Sequence, residues 1–217
     1  MLGGRHITRL HARSALISSL GSSVTTQAAA SAYDLVVIGG SAGGIPALQQ
    51  LLSALPEDFP LPILLVQHLS AMLPSKLPQV LGYRTRLKAK WAEDGEALRP
   101  ATVFIAPPDR HLLVRADRRI GLSSVERVGW WRPAVDVLFG SAAEAFGERT
   151  IAVVLSGAMW DGAKGVRAVV EAGGITIAQD EVSSGHFDMP AAALDLGRAD
   201  LAMEPAKIAL ALQILAG

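Results

Sequence analysis

The chain has 217 residues, half of them hydrophobic, with 20 Lys and Arg balancing 20 Asp and Glu and no cysteine. That length and composition suit one α/β domain whose core needs no covalent staples. Zero net charge gives no basic excess for nucleic acid or an anionic membrane. The lack of cysteine excludes disulfides, thiolate nucleophiles and cysteine-based zinc sites, and no apolar stretch reaches the roughly 18 residues that span a bilayer.

The first 33 residues carry Arg5, Arg9 and Arg13, many Ser, Thr and Ala, and no acidic residue. This composition is like that of an organelle transit peptide, but a disordered leader or an upstream start site explains it more simply. The segment 1–33 is therefore set apart, and the fold is expected over 34–217. From there short apolar runs alternate with longer amphipathic ones. Leu35–Ile38 reads as a buried strand and Ile45–Leu55 as a helix closed by Pro56. Pro62–Val66 is a second strand, Pro74–Leu81 a short helix, and Val103–Ile105 a further strand. His111–Arg115 and Ile120–Ser123 flank a polar turn and form a hairpin. Pro133–Phe146 is a helix with proline in its first turn. Thr150–Leu155 is a strongly apolar strand, followed by a helix over Ala163–Ala172 that Gly173 and Gly174 stop. Ile175–Ile177 is a strand, Pro190–Leu196 a short helix and Pro205–Leu215 a terminal helix. Strands apolar throughout and separated by helices predict a mostly parallel, doubly wound α/β sheet covered on both faces, modified by the inserted antiparallel hairpin.

In such sheets the chemistry lies just past the carboxyl ends of the strands. Ser41 follows the first strand, His68 the second, and Asp161 lies in the loop after the strand ending at Leu155. The turn around Ser41, Gly39-Gly-Ser-Ala-Gly-Gly44, invites two readings. A dinucleotide fingerprint requires glycine where Ser41 stands and a ribose-binding acid about 20 residues on, where Gln67 and His68 are found. A P-loop requires lysine where Ile45 follows Gly44. A nucleophile turn of the G-x-S-x-G kind fits better, and His68 is the histidine placed to act as base. His6 and His11 fall in the leader, His111 on the hairpin and His186 in a polar loop. Asp161 would orient the imidazole, its plainer role being an N-cap of the next helix. Asp180 and Asp188 are rivals with less apolar support. The chain order Ser, His, Asp differs from that of the α/β-hydrolases.

At these residues the sequence resembles the catalytic domain of CheB, the chemotaxis protein-glutamate methylesterase. The matching pieces are Val37-Ile-Gly-Gly-Ser-Ala-Gly-Gly44, Gln67-His-Leu69, Ala92-Glu-Asp-Gly-Glu96, Phe104-Ile-Ala-Pro107, Arg132-Pro-Ala-Val-Asp-Val-Leu-Phe139, Leu155-Ser-Gly157 with Asp161-Gly162, and Ile177-Ala-Gln-Asp-Glu181 with Met189-Pro190. The resemblance implies a Ser41–His68–Asp161 triad. It also implies a cytoplasmic hydrolase of glutamate methyl esters on chemoreceptor helices, able in some members to deamidate glutamines, with neither metal nor organic cofactor. Its functional counterpart would be a CheR-type methyltransferase. Oxyanion donors are expected among the backbone N–H groups of Ala42, Gly157, Ala158 and Met159.

Three departures from the family pattern stand out. The leader is too short for the receiver domain of about 120 residues that chemotaxis members carry. The sequence thus reads as a stand-alone catalytic domain, leaving room for a separate receiver protein as regulator. The family's Thr-Gly-Met-Gly-x-Asp-Gly loop is here Ser156-Gly-Ala-Met-Trp-Asp-Gly162, with Ala158 and Trp160 altering the pocket. Ala42 replaces a threonine common beside the nucleophile. Trp130 and Trp131 form either a packed loop over the sheet, the simpler reading, or an aromatic rim of the substrate groove. Two other functional classes remain: a docking module of a chemosensory complex that does not turn over, and a nucleotide-binding α/β protein.

Overall fold

The computed structural model describes residues 31–70 and 74–217. Seven strands form one parallel sheet: β1 (Leu35–Gly40), β2 (Ile63–Gln67), β3 (Lys88–Trp91), β4 (Thr102–Ile105), β7 (Thr150–Val154), β8 (Ile175–Gln179) and β9 (Leu201–Met203). Their order is β3-β4-β2-β1-β7-β8-β9, with β5 (His111–Val114) and β6 (Ile120–Ser123) paired antiparallel as the hairpin. The helices are α1 (Gly44–Ser53), α2 (Leu77–Gly82), α3 (Val135–Phe146), α4 (Ala163–Glu171), α5 (Asp188–Asp195) and α6 (Pro205–Ala216). The doubly wound, mostly parallel sheet with its inserted hairpin is thus the architecture expected from the alternation of apolar runs.

Side chains of a strand alternate between faces, and the two cores follow that alternation. Val36 and Ile38 of β1 point into a layer with α1 and α6, whereas Leu35 and Val37 point into one with α3, α4, α5 and the hairpin. Both faces of the central strands are covered, which explains why they read as continuous apolar runs. The chain builds β1 through β4 to one side of β1 and then returns to place β7 on its other side. The reversal falls between β1 and β7, and in open sheets ligands usually lie beyond the carboxyl ends of the strands at such a point.

Three details depart from expectation. Strands β3 and β9 have no counterpart among the elements expected from the sequence; both are short edge strands. Pro133 lies before α3 rather than in its first turn, because the helix takes its cap at Ala134 and its first free N–H groups are claimed by a carboxylate described below. Ser31 to Tyr33, set apart with the leader, pack on the domain. Tyr33 is buried, and the Ser31 hydroxyl donates to Tyr33 O at 2.8 Å. Residues 1–30 lie outside the described residues.

Beside this start of the fold, the Arg149 guanidinium donates two hydrogen bonds to Asp34, at 2.5 and 2.7 Å. These bonds hold the Asp34 carboxyl below its ordinary range. A depressed carboxylate contributes stability above its unfolded pKa and loses it as pH falls through the folded value. Asp34→Asn should therefore lower stability at neutral pH, by under about 1 kcal/mol because the pair is partly exposed. The difference from wild type should fade below about pH 4 in urea titrations.

Candidate active site

The sheet brings Ser41 and His68 side by side. Gly40 of β1 is in register with Gln67 of β2, so Ser41 and His68 are the next residues beyond paired strand ends. The His68 N–H donates to Gly40 O at 3.0 Å and extends the pairing by one bond. The backbone of Ser41 is fully engaged. Its N–H donates to Ser156 O at 2.9 Å, and its carbonyl accepts from Gly44 N–H at 2.9 Å and from Gln67 Nε2 at 2.7 Å. Ser41 thus sits, half-buried, in a turn held from three directions.

The glycines of that turn make room for protein rather than for a ligand. Gly43 has φ 74°, in the left-handed region, and a Cβ there would stand 2.6 Å from Ser156 Oγ. A Cβ on Gly44 would stand 2.5 Å from Gln67 Oε1. Two oxygens thus fill the space that a phosphate cradle leaves open and lines with N–H donors.

His68 is almost enclosed, its side chain 7% exposed, and its Nε2 lies 2.8 Å from Asp161 Oδ2. A carboxylate only accepts hydrogen bonds, so Nε2 carries the proton and Nδ1 presents a lone pair. Nδ1 is buried and makes no hydrogen bond among the described residues. It is the ring atom left to accept a proton. The Trp131 indole lies flat against the imidazole, ring centroids 3.9 Å apart and planes 7° from parallel.

Asp161 is buried and holds two elements at once. Besides His68, its Oδ2 accepts from Val135 N–H at 2.7 Å, and its Oδ1 accepts from Asp136 N–H at 3.0 Å. Those are the first N–H groups of α3, so Asp161 caps that helix and sits at the positive end of its dipole. The expected alternative, a cap on the following helix α4, is taken instead by Asp136. Asp136 Oδ1 accepts from Gly162 N–H at 3.0 Å and Gly165 N–H at 2.8 Å. Two helix starts thus exchange carboxylates, fixing Asp161 from its own side and from across the site. Burial, with Asp161 nearby, pushes the Asp136 carboxyl above its ordinary range. Sequence reasoning passes over Asp136; the only signal is an acidic residue in a helix first turn, which is commonplace.

His111, set aside as a hairpin residue, is fully buried and structural. It accepts from Ala134 N–H at 3.2 Å and faces Glu126 O at 3.2 Å, and burial lowers its pKa. His186 is exposed, but its backbone braces the loop after β7. Its N–H donates to Ser156 Oγ at 2.9 Å, and its carbonyl accepts from Gly157 N–H at 3.0 Å.

That last bond corrects the expected set of oxyanion donors. The Gly157 N–H is spent on His186 and is removed from it. The Met159 N–H faces Asp188 Oδ2 at 3.4 Å, in an exposed position. The N–H groups of Ala42 and Ala158 make no hydrogen bond among the described residues. Gly157 contributes closeness instead: a Cβ there would stand 2.9 Å from Ser41 Cβ. Trp160 is 60% exposed and lines a surface cavity of about 360 Å³ with Lys164, Arg167 and Leu196.

The fold and the cluster together define a class: doubly wound α/β proteins with serine, histidine and aspartate gathered where the strand order reverses. The model of the CheB methylesterase family matches residues 36–212. The chain belongs to the CheB methylesterase family. A Leptospira interrogans relative, bearing a protein-glutamate methylesterase/protein-glutamine glutaminase name, is 38% identical over 177 residues, 82% of this chain and 92% of its own length. The protein-glutamate methylesterase FrzG of Myxococcus xanthus is 41% identical over 180 residues, which cover 83% of this chain and 54% of FrzG. The crystal structure of the Thermotoga maritima CheB methylesterase catalytic domain superposes with a TM-score of 0.81 at 37% identity, covering 85% of this chain and 99% of that one.

Proposed function

We propose that the chain is a cytoplasmic serine hydrolase that removes methyl groups from glutamate methyl esters of chemoreceptors, with Ser41 as nucleophile, His68 as base and Asp161 as its orienting partner. One observation carries the assignment of roles: His68 Nε2 is bonded to Asp161 while Nδ1 is buried without a partner among the described residues. His68 Nδ1 takes the Ser41 proton as Oγ attacks the ester carbonyl. The negative oxygen of the tetrahedral intermediate is received by the N–H groups of Ala42 and Ala158. Nδ1 then returns the proton to the departing methoxide, which leaves as methanol. Water, deprotonated at the same nitrogen, cleaves the acyl-enzyme and frees the glutamate carboxylate. On a glutamine side chain the same steps release ammonia, which is deamidation. No step requires a cofactor. In cells a CheR-type methyltransferase would supply the substrate, and a separate receiver protein would be a natural regulator.

The test is methanol release from methylated receptor fragments. Ser41→Ala and His68→Ala should each lower kcat by about 10⁴-fold or more, the scale on which serine triads lose their nucleophile or base. Ala158 and Trp160 in the loop after β7 favour a second reading, a docking module that does not turn over. If wild type releases no more methanol than the two variants, that second reading prevails.

A further inference from the structure

A single hydrogen bond fixes one point of an imidazole ring, not its plane. With only Nε2 tied to Asp161, the ring of His68 remains free to tilt about that bond, and Nδ1 would wander with it. The missing constraint is the Trp131 face, parallel within 7° at 3.9 Å. We propose that Trp131 is a positioning residue for His68, its indole forming a wall that sets the plane from which Nδ1 takes and returns the proton and that stabilises the ring while it is charged.

The wall is itself built to stay in place. Val128 and Trp131 exchange two backbone hydrogen bonds of 3.1 Å across Gly129 and Trp130, a tight turn in which Gly129 has φ 61°. The next residue anchors the strap. Arg132 donates from Nε and Nη2 to Asp109 Oδ1 at 3.0 and 2.8 Å, and from Nη1 to Ser124 O and Val125 O at 2.9 and 3.0 Å. Of the adjacent tryptophans, Trp130 is 72% exposed, and Trp131 is the one turned inward onto the ring. An indole face attracts a cation, so the contact strengthens as His68 becomes imidazolium and relaxes when the proton leaves. It thus favours the state in which the proton is in transit over the resting one.

This inference rests on the triad roles proposed above, and the experiment separates the two. The full chain carrying Trp131→Leu or Trp131→Phe is compared with wild type in two assays. One is methanol release from methylated receptor fragments; the other is the rate at which a fluorophosphonate probe labels Ser41. Far-UV circular dichroism and melting confirm folding. Trp131→Leu keeps apolar bulk but loses the aromatic face. It should lower kcat and the labelling rate by about 10- to 100-fold with KM within about 2-fold, combining a lost cation–π contact with a loosened ring. Trp131→Phe keeps a face and should recover all but a few-fold of both rates. The inference is overturned if the leucine variant labels as fast as wild type, if leucine and phenylalanine behave alike, or if the loss lies in KM. The labelling rates alone suffice to test the role of Trp131. A wild type that labels readily but frees no methanol would count against the substrate assignment, while the labelling rates of the two variants would still decide for or against the positioning role.

Discussion

Replacing Asp161 by Asn is expected to lower kcat/KM on a glutamyl methyl ester by about 10³- to 10⁴-fold, the range in which a triad fails when its acid is neutralised. The reason lies in the three N–H groups that converge on this one carboxylate, from His68, Val135 and Asp136. An amide has one oxygen and one NH₂ group. If its oxygen replaces Oδ2, His68 and Val135 keep their acceptor, but the NH₂ faces the Asp136 N–H, donor against donor. If the NH₂ replaces Oδ2, it opposes the Val135 N–H and donates to His68 Nε2. The ring proton then moves to Nδ1, the atom that must be empty to receive the Ser41 proton. The first orientation loses the charge that balances the imidazolium, and the second blocks the base. Either leaves a buried backbone donor of α3 unpaired, costing about 1–3 kcal/mol of stability. Steady-state kinetics with a urea melt would reveal both losses, and a variant within tenfold of wild type would remove Asp161 from the proposed triad.

What the sequence disclosed and what it hid divide along a physical line. Strands β1, β2 and β7 are buried on both faces, so their apolar runs are unbroken and their ends mark Ser41, His68 and the loop of Asp161. Strand β3 pairs on one side only and reads Lys-Ala-Lys-Trp, with Lys88 exposed, so its composition does not distinguish it from a loop. Strand β9 has three residues and no pattern to recognise. The capping role of Asp161 was visible in kind but not in partner. Capping rules are local, whereas Asp161 caps a helix that begins 26 residues upstream. The stack of Trp131 on His68 joins residues 63 positions apart, and only the folded turn around Gly129 aims the indole. Likewise, whether Gly157 offers its N–H to an oxyanion depends on where the His186 carbonyl comes to rest.

Gly157→Ala should abolish most of the activity for a reason that the sequence motif alone does not supply. A methyl group at this position would stand 2.1 Å from Met189 Sδ on one side and 2.9 Å from Ser41 Cβ on the other. Both contacts lie inside van der Waals distance, so one neighbour has to move. Met189 is fully buried at the start of α5, and its backbone N–H is tied to Gly157 O at 2.9 Å, so its thioether has only the packed core into which to retreat. Overpacking of that kind typically costs about 1–3 kcal/mol. The other neighbour, Ser41, is held through its backbone by Ser156, Gly44 and Gln67, and it is the proposed nucleophile, so a shift there disturbs the reacting group itself. A displacement of about 1 Å at a reacting group lowers rates by about 100-fold. The expected result is therefore a kcat reduced by about 100-fold or more, with a melting temperature only moderately lowered. A second substitution identifies the cause. Met189→Ala alone should destabilise by about 2–5 kcal/mol through the cavity it leaves. Joined to Gly157→Ala, it removes the nearer clash, lets the new methyl group occupy part of that cavity, and should return kcat toward that of Met189→Ala alone. Such a coupling between contacting residues appears in a double-mutant cycle as a non-additive term. Strict additivity of the two losses would mean that Gly157 is required for something other than the space between Met189 and Ser41.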